Sequence, residues 1–334
     1  MVYKSIQVTG RGGLEFVEVV EKPLRSPTAT EARIKIMATP VVQDDVAVRI
    51  GNRPVLPKLP FTPGYSFIGI VEAVGDGVTN VHLGDCVTAL TNFNSHAEYI
   101  YWPADQLAPV PATLNPIETA VIILNYLVAY QILHRVAQVK SGDKVFIIGA
   151  SGGVGTAFLQ LGQIAGLTMY GSASASKHHI LKQYGAIPID YRSQDFVQLL
   201  KQAEPDGIDF VFNGMDETFF KPGIKVLGRG GVLVHYGGPL SFTHLLLLVA
   251  KLGYYNLLPN GKKIKGYGTH RLGVDLFQKD WATLFNLLEE RQIEPVIYQV
   301  YPILEAAKAY ACLENGQVFG NIVLVSPEHL STSE

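Results

Sequence analysis

The run Val145-Phe146-Ile147-Ile148-Gly149-Ala150-Ser151-Gly152-Gly153-Val154-Gly155 constrains this chain more than any other segment. A short apolar run leads straight into a glycine-rich turn, and residues 154–165 then carry a helical pattern. Ala150, Gly152 and Gly155 fall at the three positions of a dinucleotide-binding fingerprint. The first makes a tight turn, the second lets backbone approach a pyrophosphate, and the third brings the helix against the sheet. Amides at the start of such a helix face a phosphate. Ser151, Gly152, Gly153, Val154 and Gly155 are therefore the first candidate cofactor residues. An ordinary strand-to-helix turn without nucleotide is the bland alternative, and the strand and helix on either side weigh against it.

The surroundings of this turn define a fold class. Strand-like runs at Val145–Ile148, Thr168–Gly171, Phe210–Phe212 and Val232–Tyr236 alternate with helical stretches at Val154–Ala165, Lys177–Gln183 and Phe196–Lys201. That alternation predicts βαβ units and a doubly wound parallel sheet. Residues 4–106 read differently, as short segments such as Ala32–Ala38, Phe67–Val74 and Glu98–Tyr101 punctuated by Gly and Pro, which predicts a β-rich, barrel-like unit. Asn115-Pro116 followed by Glu118 marks a helix start, and an apolar helical segment runs on through Leu133. A long helical stretch at Trp281–Arg291, a helix at Leu304–Glu314 and a strand at Ile322–Val325 close the chain. The expected class is α/β with two domains, residues 1–122 with 268–334 forming one and residues 123–267 the other. A length of 334 residues suits two cores.

Charge and cysteine content exclude several functions. With 27 basic and 29 acidic side chains the chain has no excess positive charge for a phosphate backbone, so nucleic acid is not an expected partner. Cys86 and Cys312 are its two cysteines, far apart, which suggests neither a disulfide framework nor a thiolate metal cluster and fits the cytoplasm. No secretory signal is evident in residues 1–13. The most apolar stretch, Leu245–Leu258, is interrupted by Lys251, Gly253 and Asn256 and falls short of the roughly 20 residues that span a bilayer, so no transmembrane segment is expected.

The type of dinucleotide is set after the second strand, where an acid would accept hydrogen bonds from an NAD ribose. The stretch there is Gly171-Ser172-Ala173-Ser174-Ala175-Ser176-Lys177-His178, with no acid. Hydroxyls and an ammonium favour the extra phosphate of NADPH. The bland reading of Lys177 is an exposed helix start.

With these segments in view, the chain resembles the zinc-independent quinone oxidoreductases of the medium-chain dehydrogenase/reductase superfamily. The resemblance rests on Pro63-Gly64, Gly69-Ile70-Val71-Glu72-Ala73-Val74-Gly75, Gly84-Asp85-Cys86-Val87, Ala97-Glu98-Tyr99 and Asn125-Tyr126-Leu127-Val128-Ala129-Tyr130. Ser172 to His178 and Ile189-Asp190-Tyr191 look most like the vesicle amine transport protein branch. It implies a GroES-like β-barrel domain, completed by the C-terminal tail, around a Rossmann domain, with the active site in the cleft between them. By the same resemblance Lys177 and Tyr191 would clasp the 2′-phosphate with Ser174 nearby. Tyr236 and Gly237 would lie beside the cofactor at a strand end, and Phe319-Gly320-Asn321 would close over the nicotinamide end.

A catalytic zinc needs about three converging Cys, His or carboxylate ligands. Pro63-Gly64-Tyr65-Ser66 lacks the His and Glu that zinc-containing relatives carry, and residues 88–97 are too few for a four-cysteine lobe, so no metal is expected. The resemblance also exposes departures: Val42, Val128, Arg53 and Asn321 stand where many relatives have Asn, Thr, Tyr and Lys. Asp45 keeps the family's acidic position, and Tyr126 remains as a phenol that could donate to a developing oxyanion. These two are the candidate catalytic residues, although a structural, hydrogen-bonded Tyr126 is an equally good reading. The expected activity is NADPH-dependent hydride transfer to a small apolar quinone or conjugated carbonyl compound. A cofactor-binding scaffold or membrane-associated protein is the alternative. The apolar stretch Leu245–Leu258 is expected to be a homodimer interface or a substrate lid, with lipid contact as the competing reading.

Overall fold

A computed structural model describes residues 1–269 and 274–332, and these form two compact units. The first contains Met1–Asn52, Leu56–Asn125 and Val274–Glu334; the second contains Arg53–Val55 and Tyr126–Gly273. The expected boundary at residues 122/123 compares with 125/126 in this division. The other, at 267/268, abuts residues 270–273, which lie outside the described residues.

The first unit begins with seven strands: β1 (Val2–Val8), β2 (Val17–Pro23), β3 (Glu31–Val41), β4 (Ser66–Val74), β5 (Cys86–Leu90), β6 (Tyr99–Pro103) and β7 (Ala108–Pro109). β1 and β2 form an antiparallel pair. β3 shows why the sequence pattern reads as a half-buried strand: Ala32, Ile34, Ile36 and Ala38 are buried at every second position. Their face packs with Phe67, Val87 and Ile100 in the core.

The second unit carries β8 (Lys144–Ile148), β9 (Thr168–Ala173), β10 (Ile187–Asp190), β11 (Ile208–Asn213), β12 (Leu227–His235) and β13 (Lys263–Gly266). They form one parallel sheet in the order β10-β9-β8-β11-β12-β13. Numbered within the unit this is 3-2-1-4-5-6, the doubly wound order whose reversal lies between β8 and β11. Central strands buried on both faces explain the unbroken apolar runs, such as Val145 to Ile148, all buried. The tail then adds β14 (Ile297–Pro302) and β15 (Asn321–Val325) to the first unit, giving a seven-stranded sheet ordered β14-β15-β3-β4-β5-β7, with β6 also pairing with β3.

Two helical segments differ from the sequence expectation. The helix starting at Asn115, whose side chain caps Ile117 N at 2.8 Å, continues to residue 137 through π-helical turns at Ile122–Tyr126 and Ile132–Ala137. Pro116–Ala137 is thereby long and apolar enough to cross a membrane, which composition had not signalled, yet most of it is buried inside the protein as a core helix. The apolar stretch after β12 forms the helix Phe242–Leu257. Leu248, Leu252 and Tyr255 pack against the core of the second unit, while Phe242, Leu246, Leu247, Val249, Tyr254 and Leu257 are exposed.

Glycines in these two settings should respond in opposite ways to alanine. A Cβ on Gly155 would lie 2.4 Å from the Gly149 carbonyl oxygen, whereas one on Gly253, in the exposed helix, would meet nothing within 4 Å. Gly155→Ala should destabilise the protein by about 1–3 kcal/mol, and Gly253→Ala should stabilise it by about 0.5–1 kcal/mol. Urea unfolding of both variants checks the opposite signs.

Candidate dinucleotide site

The turn after β8 is built around Gly149, whose φ of 77° puts it in the left-handed region open to glycine. The sequence assigned the tight turn to Ala150; the structure moves it one residue earlier. Ala150 instead donates its amide to the Ser172 carbonyl at 3.0 Å, and the Gly149 amide donates to Ser172 Oγ at 3.0 Å. β9 thus pins the turn of β8. Gly152 caps the helix Gly153–Ile164 in an extended conformation, and Gly155 is buried against the Gly149–Ala150 backbone. Ser151 is buried, Gly152 is exposed, and Gly153 and Val154 are half-buried. These residues present the first amides of a twelve-residue helix at the carboxyl end of the sheet.

At the ends of β9 and β10 the structure brings a second set together. Ser174 is buried with its Oγ 3.3 Å from Ser176 Oγ, and Lys177 follows in a short 3-10 turn. Burial pushes the Lys177 ammonium below its usual range, and the Arg192 guanidinium lowers it further. Arg192 also lies over the exposed Tyr191 ring, 5.7 Å from its centroid. Asp190 is the acid nearest in sequence, but its carboxylate accepts from Arg192 N at 3.1 Å and from Ser193 Oγ at 2.7 Å, which holds it below the ordinary range. Sequence reasoning missed Arg192, because a lone Arg after a strand carries no signal until the fold sets it beside Lys177.

The turns after β11 and β12 complete this end of the sheet. Asn213 Oδ1 accepts from Met215 N at 2.9 Å, and the Asn213 carbonyl accepts from Tyr236 N at 2.9 Å. Gly237 lies so close to Met215 that a Cβ would fall 2.0 Å from the Met215 carbonyl oxygen. Tyr236 is half-buried against Phe158, with ring centroids 5.7 Å apart, and burial raises its pKa. Tyr126 is fully buried at the end of a π-helical turn.

The remaining candidates lie in the first unit. Phe319 packs edge-on against Tyr298 at 5.1 Å. Asn321 is buried, its Oδ1 accepting from Asn125 Nδ2 at 2.6 Å and its Nδ2 donating to the Val296 carbonyl at 3.0 Å. Asp45 is buried as well. Its Oδ2 accepts from Val42 N at 2.9 Å and its Oδ1 from Gly64 N at 3.0 Å. Those two bonds hold the backbone at Val42 and Gly64. Burial outweighs the two amides and raises the Asp45 pKa to about 7.

His96 lies 3.9 Å from Asp45 and is fully buried. The Pro40 carbonyl, 3.2 Å from Nε2, can only accept, so Nε2 carries the hydrogen and Nδ1 accepts from the Tyr310 hydroxyl at 2.7 Å. Burial lowers the His96 pKa to about 4.

The family profile described as "Alcohol dehydrogenase GroES-like domain" matches residues 28–112, and "Zinc-binding dehydrogenase" matches residues 184–324. The chain is 30% identical to the rat synaptic vesicle membrane protein VAT-1 homolog, over 96% of this chain and 84% of the relative. It is also 30% identical to pig quinone oxidoreductase, over 92% of each. The chain belongs to the quinone oxidoreductase type of medium-chain dehydrogenase/reductase. A mycobacterial protein of this fold, solved in complex with NADPH, aligns with a TM-score of 0.84 at 27% identity, covering 97% of this chain and 99% of its own. NADPH binding is therefore a property found within the family.

One of those descriptions names zinc. Among the described residues no three His, Cys, Asp or Glu side chains are grouped to hold a metal. Both His96 nitrogens have protein partners.

The buried histidine makes stability pH-dependent in a defined window. Its folded pKa lies below the ordinary 6.5, so its contribution is present above pH 6.5 and is lost as pH falls through about 4. A shift of this size corresponds to about 3 kcal/mol. Asp45, with its pKa raised, works the other way, contributing fully below 3.8 and losing its contribution as pH rises through about 7. Between pH 6.5 and 4 the wild type should therefore lose up to about 3 kcal/mol relative to His96→Gln, which keeps a hydrogen-bonding side chain but does not titrate. Denaturant unfolding across this range decides it; parallel curves for the two proteins would remove His96 as the cause.

Proposed function

We propose that this chain is an NADPH-dependent reductase that passes hydride to a small apolar quinone or α,β-unsaturated carbonyl compound without zinc. The observation that carries the cofactor choice is the pairing of Lys177 with Arg192 beside Tyr191 and Ser174, together with the withdrawal of Asp190 into its own turn. A 2′-phosphate between these two cations would gain charge-assisted hydrogen bonds from both. The glycine turn and the first amides of the helix Gly153–Ile164 would take the pyrophosphate, with Ser151 to Gly155 lining it. Tyr236 and Gly237 would flank the cofactor from the end of β12, and Phe319 and Asn321 are assigned to its nicotinamide end.

When bound, the dihydronicotinamide supplies the hydride. The protein's task is to align acceptor and cofactor and to place a donor where negative charge grows on the acceptor oxygen. We assign that donor role to Tyr126, supported by its phenol and by its π-helical turn, a distortion that recurs at functional sites. Asp45 is a positioning residue, fixing the turn at Gly64. Two free cysteines fit a cytoplasmic protein.

Steady-state NADPH oxidation against a panel of quinones, 2-alkenals and enones tests the activity, before and after dialysis against a strong chelator. Turnover should survive chelation. Lys177→Ala should weaken NADPH about tenfold or more in a fluorescence titration while leaving NADH nearly unchanged. Equal weakening of both cofactors would defeat the phosphate assignment.

A second reading is favoured by one observation, the exposed apolar stripe of the helix Phe242–Leu257. We assign it to a homodimer interface, because a stripe of this kind is readily covered by association. Attachment to a membrane, as in a scaffold that binds NADPH with little turnover, is the competing outcome. Leu247→Asp with Leu257→Asp should shift sedimentation from dimer to monomer. Wild-type flotation with liposomes that these substitutions abolish, at unchanged oligomeric state, would establish the membrane reading instead.

A further inference from the structure

The edge of the first unit carries a cavity that hydride transfer does not use. Tyr3 and Ser5 are two residues apart on β1, so the pleat sets both on one face, and Lys22 of β2 stands opposite Tyr3 in the register. Tyr99 and Tyr101 repeat the two-residue spacing on β6. With Asn94 these residues line a cavity of about 170 Å³. The rings lie at steep angles to one another, Tyr3 to Tyr99 at 5.8 Å and 74° and Tyr3 to Tyr101 at 6.5 Å and 54°.

Lys22 is the chemically distinctive group. Its ammonium donates to Thr62 Oγ1 at 2.8 Å, and Thr62 is in turn 2.9 Å from Ser5 Oγ, which donates to the Ile6 carbonyl. This relay anchors the ammonium on the cavity wall but satisfies only one of its three N–H donors. Burial lowers the Lys22 pKa, and no neighbouring carboxylate opposes that shift. The nearby acids are committed elsewhere: Glu98 accepts from Lys4 N at 2.6 Å, and Glu72 faces Arg33 at 3.8 Å. A half-desolvated cation whose described partner is a neutral hydroxyl is costly, and an incoming anion offsets that cost.

We propose that this cavity binds a small carboxylate with a flat apolar body, its carboxylate on Lys22 and its ring among Tyr3, Tyr99 and Tyr101. The volume is below the roughly 300 Å³ at which drug-sized sites begin, which limits the ligand to about one ring. The alternative role for Lys22 is a brace for Thr62, which would need no ligand. The site rests on the first unit alone and is independent of the reductase reading.

Benzoate is the probe, titrated calorimetrically into the full chain, with benzamide as its uncharged counterpart. Wild-type protein should bind benzoate saturably at one site and benzamide at least about tenfold more weakly. Lys22→Met should lose about tenfold or more in benzoate affinity, while Lys22→Arg should stay within about threefold, thermal unfolding confirming that each variant is folded. Absence of saturable heat with benzoate, equal affinity for benzoate and benzamide, or unchanged affinity in Lys22→Met would each overturn the proposal. The benzoate-to-benzamide comparison uses wild-type protein, so it stands even where a variant fails to fold.

Discussion

The approach of Gly155 to the Gly149 carbonyl is the contact on which the candidate cofactor site depends. A helix can begin directly after β8 and lie close to the sheet because no Cβ intervenes at Gly155. That closeness puts the first helical amides at the carboxyl end of the sheet, where the strand order reverses between the paired β8 and β11. Ser172 then ties the turn to β9 through both its carbonyl and its hydroxyl, so the strand that holds the turn also leads into Ser174 and Lys177. One close contact and two hydrogen bonds thus place the start of the helix Gly153–Ile164 and the strand end leading to Lys177 on the same rim.

The polar interior of the first unit follows a different rule. Asp45, His96, Tyr310 and Arg49 are all buried, and each is described with partners: amides for Asp45, Tyr310 and Pro40 for His96, and Glu314 at 2.7 Å for Arg49. Burying such groups unpaired would cost several kcal/mol each. Here they cross-link β3, the helix Gln43–Arg49 and the helix Ala306–Glu314, so residues from opposite ends of the sequence share one network. Burial lowers the Lys177 and Lys22 ammoniums from their usual range.

The sequence by itself determined the fold class, because both periodicities were visible in it. Alternation at Ala32 to Ala38 and unbroken apolar runs at Val145 to Ile148 reflect one-sided and two-sided burial, and burial is what selects those residues. It also determined the glycine-rich turn, since close backbone approach leaves a residue-type trace at Gly155. Ser174 and Lys177 could be singled out from the acid-free stretch after the second strand, whereas Tyr191 was singled out only through resemblance to a family. Tertiary structure decided the rest. It moved the tight turn from Ala150 to Gly149, gave Asp45 two backbone amides to hold, and set Arg192 beside Lys177. It also built a cavity around Lys22 from strands separated by some 75 residues. These are matters of distance and desolvation between segments remote in sequence, and one chain of letters carries no measure of either until the strands pair and the side chains meet.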